Sequence, residues 1–195
     1  MYENVLVVTA HPDDLEMGCG GTVARLISEG ASVTNLVMVP TQNYAFAEVA
    51  SEILGYSLVS YSQDMQERFF VNHHTVEEVE NSFDVSDYDL IITHWKEDWH
   101  QDHRKTHELV NILTRRYPGD LWYMEGHPYS KKYKEFNPNI YVDVSSQYDK
   151  KLQAMDAYKN LLFTETDGIH CHDIWRGSHI GVNQAEAFTL GSMVI

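Results

Sequence analysis

Residues 4–14, Asn-Val-Leu-Val-Val-Thr-Ala-His-Pro-Asp-Asp, decide the fold. Asn4–Thr9 is a run of branched and apolar residues with no polar alternation, the pattern of a strand covered on both faces. It ends in a histidine, a proline and two adjacent carboxylates. Two like charges side by side repel, and each resists leaving water. A metal ion at the strand end resolves that conflict. So does solvent exposure, with an Asp-capped helix following a Pro turn.

The same alternation continues outward. Glu16–Glu29 reads as a helix closed by Gly30, and Ser32–Val39 as a second buried strand. Tyr44–Leu54 is helical with Gly55 as its stop, Ser57–Tyr61 a short strand, and Thr75–Phe83 a helix. Asp89–Thr93 is another buried strand, and Asp102–Arg116 a helix stopped before Pro118. Leu121–Met124 and Ile140–Val144 read as strands, and Ser146–Leu162 as a long final helix. Strands alternating with helices predict an α/β fold, a mostly parallel sheet with helices on both faces. Residues 1–195 are expected to form a single domain.

Composition excludes several partners. With 14 Lys and Arg against 29 Asp and Glu, the net charge of −15 argues against nucleic acid, whose phosphates need clustered cations. No apolar run approaches the ~18 residues of a membrane span, and the N-terminus lacks a basic signal-peptide region. The protein is expected to be cytoplasmic, with its two cysteines, Cys19 and Cys171, as free thiols.

The second polar cluster, residues 93–107, follows the Asp89–Thr93 strand and reads Thr-His-Trp-Lys-Glu-Asp-Trp-His-Gln-Asp-His-Arg-Lys-Thr-His. In open parallel sheets ligands bind beyond the carboxyl ends of the strands, so both clusters belong over one crevice. His100 and His103, three residues apart at a helix start, share one side of the first turn. Asp102 either caps that helix or orients a neighbouring histidine. His11, one of Asp13 and Asp14, and one helix histidine would make three protein ligands with an open position, as in catalytic zinc sites. The other aspartate would then act as general base, and the other histidine would stabilise an oxyanion or protonate a leaving amine.

Two further stretches are ambiguous. The glycines of "GCGG" (18–21) suggest a phosphate loop, but they lie inside a helical stretch behind two carboxylates, which favours close helix–sheet packing. "HCHD" (170–173) reads as a polar loop or, with ligands from elsewhere, as a second metal site.

The two clusters together resemble the PIG-L/LmbE-like family of metal-dependent N-deacetylases. The matching motifs are "AHPDDLEMGCGGT" (10–22) and "HWKEDWHQDHRKTH" (94–107), with a weaker third in "GVNQAEAF" (181–188). The resemblance implies a Rossmann-like fold and one divalent metal per chain, Zn²⁺ by family habit, with Fe²⁺ or another ion also accommodated. It implies His11, Asp14 and His103 as ligands, Asp13 as general base, and His100 as the oxyanion-stabilising histidine with Asp102 setting its protonation. It further implies an N-acetylated amino sugar of the N-acetylglucosamine type, or a conjugate of one, as substrate, and a homo-oligomer as the assembly. The chain departs from the family between the second strand and the next helix. There "PTQNYAFAEVA" (40–50) lacks a substrate-binding arginine, and no tyrosine precedes "AEAF". Arg68, Trp99, Tyr129 and Arg176 are the candidates to contact substrate. Two other functions fit the residues less closely: a metal-dependent hydrolase of another bond, such as a phosphoester, and a non-catalytic protein that binds metal or sugar conjugates.

Overall fold

The structure is a computed structural model and describes residues 2–41, 43–61, 70–126, 134–159 and 165–193. In chain order its elements are β1 (Asn4–Thr9), α1 (Asp14–Ser28), β2 (Ser32–Val37), α2 (Tyr44–Leu54), β3 (Ser57–Ser60), α3 (His73–Ser82), β4 (Leu90–His94), α4 (Gln101–Leu113), β5 (Asp120–Met124), β6 (Ile140–Asp143), α5 (Tyr148–Asp156), α6 (Glu165–Ser178) and β7 (Ala185–Ser192). Among the described residues the strands form one sheet in the order β3-β2-β1-β4-β5-β7-β6. Strands β1 to β5 pair in parallel, and β7 runs antiparallel between β5 and β6.

The apolar run of β1 supplies both layers of the core. Val5 and Val7 pack with α1, α2 and α5 through Leu15, Val23, Ala47, Leu54 and Ala154. Leu6 and Val8 face the other way, onto Val79 of α3 and Leu109, Val110 and Leu113 of α4. Side chains alternate across a strand, so a helix layer on each face requires that every position be apolar. Each such buried side chain contributes ~1.5–3 kcal/mol. Helix ends follow local chemistry: Asn72 caps α3 by accepting the Thr75 N–H at 3.1 Å, and Gly55 closes α2 in the left-handed region at φ 94°.

The strand order places a switch point between β1 and β4. The chain leaves β1 for β2 on one side and later returns to β4 on the other. Crevices for ligands open at such points, beyond the strand carboxyl ends. His11 follows β1 and His94 ends β4, so the two polar clusters leave neighbouring strands.

The carboxyl-terminal third differs from the sequence expectation. The helix expected over Ser146–Leu162 is α5, Tyr148–Asp156, and residues 160–164 lie outside the described residues. The "HCHD" stretch is part of a helix, α6, and the "AEAF" stretch begins a strand, β7. Helix α1 starts at Asp14 and carries a break at Cys19, whose φ of −150° and ψ of 18° are not helical. Cys19 is buried and Cys171 exposed, and both are free. No described helix is long and apolar enough to cross a membrane.

Candidate metal centre

The Asp14 carboxylate is the hub of the crevice. Its Oδ1 stands 3.1 Å from His103 Nε2, and its Oδ2 stands 3.2 Å from His94 Nε2 and 3.5 Å from His11 Nδ1. The His11 backbone N–H donates to the same Oδ2 at 2.6 Å, which locks the turn between β1 and α1. The Ala10 N–H donates to His94 Nε2 at 3.0 Å and ties the ends of β1 and β4 together. The His94 and His103 rings stack with centroids 4.0 Å apart.

Local structure explains how the second cluster enters. His100 is the N-cap of α4, and its Nδ1 accepts the Asp102 N–H at 3.3 Å. With Nδ1 as acceptor, the neutral ring carries its hydrogen on Nε2. The first turn then sets His103 inward, 7% exposed. His103 Nδ1 meets Asp98 Oδ2 at 3.1 Å, which turns Nε2 toward Asp14. A carboxylate on the far nitrogen of an imidazole is the usual way to orient a metal ligand. Asp98 also accepts the His100 N–H at 2.7 Å, so it braces both histidines. Asp102 directs its carboxylate away from His100, to His11 Nε2 at 3.5 Å and Lys105 Nζ at 3.1 Å. Its hydrogen bond with His100 is through the backbone amide, while its charge acts on both the His100 and the His11 rings.

Asp13 occupies the N-cap of α1 without making a side-chain capping bond. The capped-turn alternative for this aspartate therefore does not hold. Burial, then the neighbouring Asp14 charge, pushes its carboxyl up to about 6. Asp14 goes the other way: burial opposes ionisation, but His103 and His94 outweigh it and hold the group well below the usual carboxylate range. Burial works against a charge on His103, but Asp14 and Asp98 prevail and raise it to about 10. Burial and the His103 charge depress His94 to about 4.

This donor set fits a divalent cation. Among the described residues, two groups place their ligand atoms within 4.8 Å of one another: His11, His100 and His103, and Asp14, His94 and His103. They share His103, and imidazoles with a single carboxylate suit zinc and related ions. The "HCHD" stretch contributes to neither group. Its His172 faces Glu125 at 3.1 Å, and its Asp173 faces Lys151 at 2.7 Å. The glycines of "GCGG" serve packing: a Cβ on Gly21 would stand 2.8 Å from Val144 Cβ.

The candidate substrate contacts separate. Trp99 is 49% exposed, next to His100, while Trp95 is buried against Phe136. Arg176 is 4% exposed, and Glu125 accepts from its Nε at 3.0 Å and its Nη2 at 2.6 Å. Its charge is committed to that pair. Arg68 and Tyr129 lie outside the described residues.

The sequence profile of the PIG-L family, described as GlcNAc-PI de-N-acetylase, matches residues 6–113. The chain belongs to the PIG-L family. Among its relatives, the protein described as uncharacterized deacetylase YaiS of Escherichia coli K12 is 24% identical over 173 residues, 81% of this chain and 91% of its own. The N,N'-diacetylchitobiose deacetylase of Pyrococcus horikoshii superposes with a TM-score of 0.77 at 18% identity, covering 97% of this chain and 84% of its own. The 4-carboxy-2-hydroxymuconate hydratase GalB of Pseudomonas putida KT2440 superposes with a TM-score of 0.80 at 16% identity, covering 99% and 98%. At these identities the likeness is one of fold. The same fold carries a deacetylase and a hydratase, so the bond attacked must be argued from the site.

Proposed function

We propose that this PIG-L family member is a metal-dependent N-deacetylase that hydrolyses the N-acetyl amide of an amino sugar or its conjugate, with Zn²⁺ as the metal. The observation that carries the reading is the pair Asp13 and Asp14: one carboxylate lies among three imidazoles, and its neighbour is left without a capping role.

His11, Asp14 and His103 would hold the ion: His11 belongs to one donor group, Asp14 to the other, and His103 to both. A bound divalent ion supplies Lewis acidity, polarising the acetyl carbonyl and making water a stronger acid. Asp13, its carboxyl pushed up to about 6 by burial and the Asp14 charge, accepts the proton of the attacking water. The Nε2–H of His100 donates to the oxygen that gains charge as the carbonyl carbon becomes tetrahedral. The proton held by Asp13 then passes to the leaving amine, so acetate and a free amine leave. Asp102 keeps His11 oriented, and Asp98 does the same for His103.

Metal content per chain, paired with acetate release from a panel of N-acetylglucosamine conjugates with and without chelator, tests the reading. About one metal per chain and chelator-sensitive acetate release are expected. Bound metal with no acetate from any conjugate would overturn the deacetylase assignment, and no bound metal after reconstitution would overturn the metal centre.

A further inference from the structure

Lys151 is fully buried in α5 and has no part in the chemistry above. It meets α1 at its break. Lys151 Nζ donates to the Met17 carbonyl at 3.3 Å, to Glu186 Oε1 at 2.7 Å and to Asp173 Oδ2 at 2.7 Å. Glu186, from β7, accepts the Gly21 N–H at 2.8 Å on one oxygen and the Thr22 N–H at 2.6 Å on the other. Asp173 also accepts from the Tyr148 hydroxyl at 2.9 Å. A broken helix exposes carbonyls on one side of the gap and amides on the other. Here a single ion pair satisfies both: Lys151 the carbonyl side, Glu186 the amide side.

The half of α1 before the break begins at Asp14, with Asp13 as its N-cap. The second half is seated against Val144 through Gly21. The geometry at the break therefore sets where the first half points. A polar belt continues behind the metal centre. A cavity of about 20 Å³, room for one water, is lined by Glu186 and Asp173 together with Glu125 and His172. Gly126, next to Glu125, abuts Asp98, the carboxylate that orients His103. Buried ion pairs are often no more stabilising than apolar packing of the same volume, so stability alone is a weak reason for this one.

We propose that the buried Lys151–Glu186 pair, backed by Asp173, is a positioning device for the metal centre, fixing the break in α1 and with it the placement of Asp14 against His103. The inference rests on the metal-site reading above.

Co²⁺ titration of the full chain tests it, read as dissociation constant and visible ligand-field spectrum, with thermal melts of the same samples in chelator. Glu186→Gln keeps the side chain's shape but leaves one acceptor for two amides. It is expected to bind Co²⁺ ~10–100-fold more weakly, with an altered spectrum, at temperatures where it is folded. Asp173→Asn leaves the Lys151–Glu186 contact in place and is expected to shift the same readouts less; it carries the test if Glu186→Gln does not fold. Leu113→Ala, in the opposite core layer, is expected to lower the melting temperature and leave Co²⁺ binding unchanged. Folded Glu186→Gln or Asp173→Asn with wild-type affinity and spectrum would overturn the proposal, as would an equal change in Leu113→Ala. Wild-type protein that binds no Co²⁺ would overturn the metal centre itself and this proposal with it.

Discussion

Asp13 and Asp14 are joined by one peptide bond, yet Asp14 stands 3.1 Å from His103 and 3.2 Å from His94, while Asp13 sits at the helix N-cap with no capping bond. Their environments drive the two carboxyls apart, one up to about 6 and the other well down. Pairs separated in this way divide acid–base labour. Asp13→Asn is expected to retain metal and lose ~10²–10⁴-fold in kcat. Asp14→Asn is expected to lose metal. Metal analysis after dialysis, alongside acetate release, checks both, and a fully active Asp13→Asn enzyme would remove the general-base role.

Residues that would not touch the ion itself should also govern metal affinity. A Cβ on Gly126 would stand 2.0 Å from Asp98 Oδ2, the atom that meets His103 Nδ1. Asp98 is 1% exposed and has little room to retreat. Asp98→Asn and Gly126→Ala are each expected to weaken zinc binding ~10–100-fold. Competition with a chromogenic chelator measures this, and wild-type affinity in both variants would show that His103 needs no outside support.

His100 has two tasks that substitution can separate. As N-cap of α4 it contributes stability, for which Ser is a good substitute and Ala a poor one by ~0.5–2 kcal/mol. As an oxyanion donor it has no substitute in Ser at that length. His100→Ser is expected to melt above His100→Ala while both lose ~10²-fold or more in kcat. Equal melting temperatures would show that the cap contributes nothing, and an active Ser variant would reject the donor role.

A pH effect is expected away from the site. Asp89 accepts the Asn4 and Glu3 N–H groups at 2.9 and 2.7 Å, and these bonds hold its carboxyl below the usual carboxylate range. The folded state thus favours the ionised form, so the contribution is present at neutral pH and is lost as pH falls through the folded value. The group is exposed, and water and salt reduce the effect. Asp89→Asn is expected to lower the melting temperature by roughly 1–3 °C near pH 7, with the difference shrinking as the solution is acidified. A difference independent of pH would assign it to packing.

The first two thirds of the fold were legible because Val5–Val8 in β1 and Leu90–Ile92 in β4 are unbroken apolar runs and β2 ends in another, the mark of a sheet covered on both faces. Strand β7 was not, because its second residue, Glu186, points a charge into the interior toward partners on α1 and α5. Helix α6 was hidden by Gly168 and Gly177 and by a polar run with a weak apolar stripe. At the site, the residue types at the two strand ends drew attention to His11, Asp13, Asp14, His100 and His103. Asp98 and His94 stood inside the same motif without a role, because the partner of an imidazole's second nitrogen depends on how the chain turns before α4. Lys151 shows the same limit: the groups that neutralise it come from 22 and 35 residues further on.

The position of β7 has a consequence for biosynthesis. Strand β6 leaves the ribosome before β7, yet in the finished sheet β7 lies between β6 and β5. Until residues 185–192 emerge, the nascent chain holds β5 with an open edge and α1 without the carboxylate that bridges its break. Open edges invite pairing with other chains. Domains fold as units, and here the unit cannot close until this segment joins the sheet, so the interval before it does is the one in which the β5 edge is open to other chains.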